Sequence, residues 1–205
     1  DPASPAKWVF PSLTLNGGGY LVVFASGKDR RDPAAPLHAN FSLDAAGEYL
    51  GLFAPESATA DFEFTPAFPP QKNDISFGPR DGRNYFYTAP SPGAANVGGF
   101  GDFVVDTKFS QDRGFYTNAF NLTISSATPG AVIRYTVDGT VPTLASGLTY
   151  SSPLAISKTT VVRAAAFKDG FQPSNVDTHT FVFLGDVVLQ AADGKAPAGW
   201  PTSWG

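Results

Sequence analysis

Short apolar runs, separated by turn-forming residues, follow one another along the whole chain. Apolar and polar residues alternate in "ADFEF" at residues 60–64 and in "FNLTISSA" at residues 120–127, which is the period of a strand with one buried face. The uninterrupted apolar run at residues 20–24 instead predicts a buried strand, and "WVF" at residues 8–10 predicts a short one closed by proline. No window of about 11 residues or more keeps a helical period. The pattern predicts an all-β protein.

The residues between the apolar runs are those that tight turns require. Asp-Gly pairs stand between apolar runs at Asp81-Gly82, Asp138-Gly139 and Asp169-Gly170, and this pair is favoured in two-residue hairpin turns. The 205 residues include 21 glycines and 18 prolines, too many for a helical protein, while 42% hydrophobic residues are too many for a disordered one. Composition therefore agrees with many short strands.

The chain divides near "PSPGAANVGG", residues 90–99, because the strand pattern stops there and restarts beyond it. We predict two tandem Ig-like β-sandwich domains, the first at residues 1–96 and the second at 113–185. Residues 97–112 form a linker and lead-in, and residues 186–205 a linker to a following domain.

The polar stretch at residues 133–157 is either a binding site or turn chemistry. Asp138-Gly139 predicts a two-residue hairpin with Gly139 at positive φ, while Thr140 and Thr143 can bond back to the local backbone beside Pro142. Calcium takes 6–8 oxygen ligands, whereas this stretch offers one carboxylate, that of Asp138, among hydroxyls. The sequence favours a turn and leaves calcium binding open.

Residues able to carry catalysis are sparse and scattered. The chain has no cysteine and two histidines, His38 and His179, which fall in different predicted domains and lack a nucleophile-elbow sequence. Asp61 and Glu63 share one face of a predicted strand. A solvent-exposed face accounts for them without a catalytic pair of carboxylates. Glycine-rich "NGGGY" and "VGGFGD" lack the Lys and Ser/Thr of a phosphate-binding loop. We expect no catalytic residue, no cofactor and no metal site.

Charge and hydropathy narrow the choice of partners. The net charge is −4, and the only basic cluster, residues 27–31, is interrupted by Asp29, so a basic face for nucleic acid is missing. No apolar run reaches the roughly 20 residues that span a bilayer. The chain starts without a leader pattern, and we interpret it as a piece of a longer protein.

Aromatic side chains are the remaining candidates for ligand binding. Exposed rings at Tyr85, Tyr87, Phe115 and Tyr116 could stack on an extracellular or cell-surface glycan. Alternation would put Tyr85 and Tyr87 on one face of a strand. The other interpretation is that these rings, with the 18 phenylalanines, fill the cores of the two domains.

Two further aromatics lie in the closing stretch "APAGWPTSWG". Trp200 and Trp204 have no strand or helix pattern that would bury them. Exposed tryptophans on a tail are an apolar liability. We therefore expect them to pack on a following domain or a neighbouring subunit.

The second half of the chain resembles a known family. The blocks "TPGA-x-IRYT-x-DG-x-x-PT", "Y-x-x-P-L-x-I" and "T-x-V-R-A-x-A" occur in order within residues 115–184. They are similar to the Ig-like domain named for the C-terminal region of chitobiase and β-hexosaminidases. The resemblance implies an accessory β-sandwich of secreted enzymes and surface proteins, and it brings no catalytic residues.

The first half resembles a bacterial lamin-tail domain, another Ig-like β-sandwich. The residues that carry the resemblance are "GGGYLVVFASGKDRR", "LHANFSLDAAGEYLGLF", "DISFGPRDGR" and "PSPGAAN", within residues 1–96. The opening strands of that family are missing here. We expect residues before Asp1 to supply them.

The order of the two resemblances is similar to the front of large exported bacterial proteins in which a spore-coat-protein-H-like kinase domain follows. This implies a non-catalytic structural or interaction region of a secreted or cell-surface protein, with any catalytic domain outside the chain. Its partners would be neighbouring domains or subunits of the same assembly. The alternative is a carbohydrate-binding module that serves an attached enzyme.

Overall fold

The fold is all-β, as the alternation predicts. The computed structural model describes residues 3–188, which form strands, turns and one five-residue helix, α1 (Leu184–Val188). The chain splits into two compact units, Asp1–Gly99 and Phe100–Gly205. Within residues 3–188, no helix is both long enough and apolar enough to cross a bilayer.

The first unit consists of three separate two-stranded ladders. β1 pairs with β2 in parallel, while β3 with β4 and β5 with β6 are antiparallel. The strands are β1 (Val23–Ala25), β2 (Leu37–Ala39), β3 (Leu50–Phe53), β4 (Ala60–Phe64), β5 (Ser76–Arg80) and β6 (Arg83–Tyr87).

The hairpin between β5 and β6 forms where the sequence predicts it. Arg80 pairs with Arg83, so Asp81 and Gly82 are the two turn residues, with φ of 50° and 76°. A two-residue turn with positive φ at both positions matches the right-handed twist of the strands it joins. The Asp-Gly pair supplies both conformations.

The buried strand predicted at residues 20–24 is wrong. Only β1 is a strand there, and Tyr20 and Phe24 are 54% and 49% exposed. A fully apolar strand is buried when both of its faces are covered. Residues 20–22 lie before the strand instead, and β1 belongs to a ladder of only two strands. The short strand predicted at residues 8–10 is also irregular backbone.

The second unit is built on a five-stranded sheet with three short ladders. The sheet order is β13-β12-β15-β17-β9, in which β9 runs parallel to β17, and the ladders are β10–β14, β8–β11 and β7–β16. The strands are β7 (Asp102–Phe103), β8 (Lys108–Phe109), β9 (Gly114–Tyr116), β10 (Phe120–Leu122), β11 (Ile124–Ser125), β12 (Val132–Thr136), β13 (Leu148–Thr149), β14 (Leu154–Ile156), β15 (Thr160–Phe167), β16 (Phe171–Gln172) and β17 (Asp177–Phe183).

The core of the second unit lies between the sheet and the ladders. Leu122 and Ile156 from the β10–β14 ladder pack with Val162 of β15 and with Phe181 and Phe183 of β17. Side chains from two β layers meeting in one dry cluster are the mark of a β-sandwich. This packing agrees with the Ig-like architecture predicted for this half.

The loop after β12 is longer than the predicted two-residue hairpin. β12 pairs with β13, so the connection runs from residue 137 to residue 147. Thr143 and Ser146 form their own bridge within it, and their hydroxyl oxygens lie 2.8 Å apart. This bridge adds a second small turn, which the Asp-Gly pair alone does not reveal.

The Asp-Gly pair nevertheless makes a local turn. The Asp138 carboxylate accepts hydrogen bonds from the hydroxyl (2.6 Å) and the backbone N–H (3.0 Å) of Thr140, and these bonds lower the pKa of that carboxyl. Gly139 has a φ of 82°, which confirms the predicted positive φ. Polar groups of the loop are thus committed to turn chemistry.

Replacing Gly139 with valine should destabilise the second unit by about 1 kcal/mol or more. A Cβ at this position meets no atom within 4 Å, so the cost comes from the positive φ. Thermal unfolding followed by circular dichroism measures it. Gly139→Asn is the control, because asparagine tolerates this conformation; an equal loss in both variants would contradict the backbone explanation.

Candidate functional site

The predicted aromatic pair on β6 does not form a platform. Tyr87 is 2% exposed and its hydroxyl points to the Gly78 carbonyl at 3.4 Å, so its ring offers no face to a sugar. Phe86 is buried as well, because the end of β6 is covered on both faces. Tyr85 is half-buried, with the Arg80 guanidinium 4.8 Å from its ring centre.

The second predicted pair separates in the same way. Tyr116 packs on Phe120 at 4.6 Å and on Phe181 at 5.7 Å, and it donates a hydrogen bond to the Asp112 carbonyl. Phe115, on the other face of β9, is 74% exposed. Among the four predicted rings, Phe115 is the one freely available to a ligand. Trp200 and Trp204 lie outside the described residues.

The two histidines lie in different units, as expected. The His38 Nδ1 is 2.8 Å from the Ser26 hydroxyl, and desolvation together with Lys28 and Arg30 lowers the pKa of His38. Within residues 3–188, no carboxylate hydrogen-bonds to the His38 ring, so this Ser–His pair lacks an acidic group to orient it. His179 stacks on a phenylalanine of β8 and contacts a backbone carbonyl.

The first unit contains an aromatic cleft. We call it the β1–β3 cleft, because strand residues of β1 and β3 line it together with the segment before β1. Its volume is about 290 Å³. Its aromatic lining comprises Trp8, Phe10, Phe41, Tyr49, Phe53 and Phe62.

Polar contacts fix two of these rings. The Trp8 indole N–H donates to the Asp29 carboxylate at 3.0 Å, and Arg31, 2.7 Å from the same carboxylate, lowers the pKa of Asp29. The Tyr49 hydroxyl donates to Glu63 at 2.8 Å, which raises the pKa of Tyr49. Rings held this way present fixed surfaces to a ligand.

Gly51, in the middle of β3, allows the rings of Tyr49 and Phe53 to lie close to the backbone of the strand. A Cβ built there would lie 2.5 Å from the Tyr49 hydroxyl oxygen and 2.8 Å from Cε2 of Phe53. Glycine inside a strand often marks a place where another group approaches closely. Any larger residue at this position would push the two rings apart.

Three residues with polar side chains are also part of the lining: Ser4, Lys7 and Glu48. The Lys7 ammonium lies 5.5 Å from the centre of the Phe41 ring, and one oxygen of Glu48 accepts the Asp44 backbone N–H at 2.6 Å. An apolar lining with a few convergent polar groups is the usual composition of a small-molecule site.

The sequence did not reveal this cleft. Its residues come from five segments, 4–10, 23–25, 39–43, 48–53 and 62, and the sequence pattern predicts a short strand at Trp8. The glycine between Leu50 and Leu52 was the available signal, since it interrupts an otherwise apolar strand.

The comparison with protein families finds a similarity within the second unit. Residues 111–178 match the family model of the chitobiase/beta-hexosaminidase C-terminal domain. The match covers about a third of the chain. That domain is a non-catalytic Ig-like domain of glycosidases. No curated protein matches the chain.

The second unit extends beyond the matched residues. The match begins just before β9 and ends at Thr178, whereas β17 continues to Phe183 and contributes Phe181 to the core. The structural unit therefore needs residues that the family match omits.

Proposed function

We propose that the chain is a non-catalytic structural and interaction region of a larger exported or cell-surface bacterial protein. The observation that carries this proposal is the match of the second unit to a non-catalytic accessory domain. The internal hydrogen bonds of Asp138 support it, because they engage the carboxylate that the sequence singles out in that loop.

The proposal includes neighbouring segments as partners. A lamin-tail-like first domain at residues 1–96 would receive its opening strands from residues before Asp1. The exposure of Leu15 and Tyr20 supports this, since a further strand would cover such side chains. Trp200 and Trp204 would pack on a following domain, for which a spore-coat-protein-H-like kinase is the candidate, or on a neighbouring subunit.

The experiment is an assay of residues 1–205 against chromogenic glycoside, ester and phosphate substrates. We expect no turnover above the rate in buffer. Ser26→Ala and His38→Ala are the matched variants, because these two side chains form the Ser–His contact. Turnover that either substitution abolishes would overturn the proposal.

Carbohydrate binding that serves an attached enzyme is the second candidate function. The exposure of Phe115 favours it, since an exposed ring can stack on a sugar face. Under this candidate, Phe115→Ala removes glycan binding.

A further inference from the structure

The β1–β3 cleft has the properties of a site for an amphipathic ligand. Several of its aromatic rings are partly open to solvent, with Phe10 43% exposed. A sugar ring has C–H groups on its faces and hydroxyls around its edge. Flat apolar rings and hydrogen-bonding groups in one cleft match these two parts of a sugar.

The charges in the cleft favour a neutral ligand. A carboxylate offers about four acceptor sites, and Glu48 uses one oxygen for the Asp44 N–H. The remaining capacity suits hydroxyl donors, and the Lys7 ammonium in the same lining balances the charge of Glu48, so the lining favours neither an anion nor a cation. Lys7 and Ser4 add donors in the same lining.

A purely apolar ligand fits this lining less well. An acyl chain would displace water from the Glu48 carboxylate and could not donate a hydrogen bond in its place. Burying a charge without such a partner is costly. The volume of about 290 Å³ lies at the small end of the range for ligand pockets, roughly 300–1,000 Å³. This suits one or two sugar rings.

We propose that the β1–β3 cleft binds a neutral pyranose ring, stacked on its aromatic lining and hydrogen-bonded to Glu48. This goes beyond the accessory role proposed above and is independent of the family match, which covers residues of the second unit only. It also differs from the Phe115 surface, so the two sugar-binding ideas can be separated by experiment.

Titration of residues 1–205 with neutral disaccharides, followed by ¹H–¹⁵N NMR, tests the proposal. The panel contains cellobiose, maltose, lactose, mannobiose and diacetylchitobiose, each up to about 50 mM, since small neutral ligands bind in the millimolar range. We expect at least one sugar to shift the Trp8 indole signal. Decanoate and glucuronate are the apolar and anionic comparison probes.

Variants locate the site. Gly51→Val should displace the Tyr49 and Phe53 rings and weaken sugar binding by about tenfold or more. Glu48→Gln, which keeps the shape and removes the charge, should weaken it several-fold. Phe115→Ala is the control and should leave the Trp8 shift unchanged. Unfolding curves of each variant separate loss of binding from loss of the fold.

Each remaining outcome overturns the proposal. These outcomes are no Trp8 shift with any sugar, a shift with decanoate or glucuronate alone, and sugar binding that survives in folded Gly51→Val and Glu48→Gln. Loss of sugar binding in Phe115→Ala would place the site on the second unit. None of these results bears on the substrate assays, so the accessory role is judged separately.

Discussion

Replacing Phe181 with alanine should lower the free energy of unfolding of the second unit by about 3–5 kcal/mol. The side chain is fully buried, with its ring 5.3 Å from that of Phe120 and 5.7 Å from that of Tyr116. Truncation leaves a cavity at the point where the sheet meets the β10–β14 ladder, and rigid aromatic neighbours cannot collapse into it. Urea denaturation followed by tyrosine fluorescence measures the loss.

The matched control is Phe115→Ala on the adjacent strand β9. Because that ring is exposed, its removal should change stability by less than about 0.5 kcal/mol. Similar losses in the two variants would mean that Phe181 is not the centre of the core. We expect the unfolding of the first unit to be unaffected by either change.

Replacing Gly47 with alanine should destabilise the first unit by about 3 kcal/mol or more. Its φ is 100°, and a Cβ would lie 2.2 Å from the Phe68 carbonyl oxygen. That carbonyl belongs to backbone, and the Phe68 N–H donates to the Glu48 carbonyl at 3.0 Å, so neither segment can shift without losing this bond. Hydrogen exchange of the first-unit amides measures the effect.

Gly18→Ala separates the cost of a positive φ from the cost of the steric contact with Phe68. Gly18 has a φ of 76°, but a Cβ there meets nothing within 4 Å, so it should cost about 1 kcal/mol from the backbone alone. If Gly47→Ala costs no more than Gly18→Ala, the contact with Phe68 is relieved by local movement and the steric argument fails.

The features that the sequence predicts best depend on neighbours along the chain. The Asp81-Gly82 hairpin and the alternation at residues 120–125 are set by local backbone preference and by one buried face. The wrong predictions concern coverage by distant segments. The sequence of residues 20–24 does not indicate which elements cover them. The Asp138-Gly139 pair likewise does not predict the bridge between Thr143 and Ser146.

The candidate site was predicted least well for the same reason. Exposure of an aromatic residue depends on both faces of its strand, so Tyr87 and Phe115 could not be told apart by pattern. The β1–β3 cleft needs Trp8, Asp29 and Tyr49 together, and these residues become neighbours only when the first unit folds.

The parallel pairing of β9 with β17 has a consequence for the order of folding. Gly114 pairs with Phe181 and Tyr116 with Phe183, so β9, the first strand of the sheet along the chain, pairs with β17, the last one. Contacts this distant in sequence are slow to form, because most of the chain between them must be ordered first. During synthesis on the ribosome, β9 would wait for its partner until β17 has emerged from the exit tunnel. Strands β12, β13 and β15 can pair before that point, so the sheet of the second unit should be completed late, when β17 joins β15 and β9.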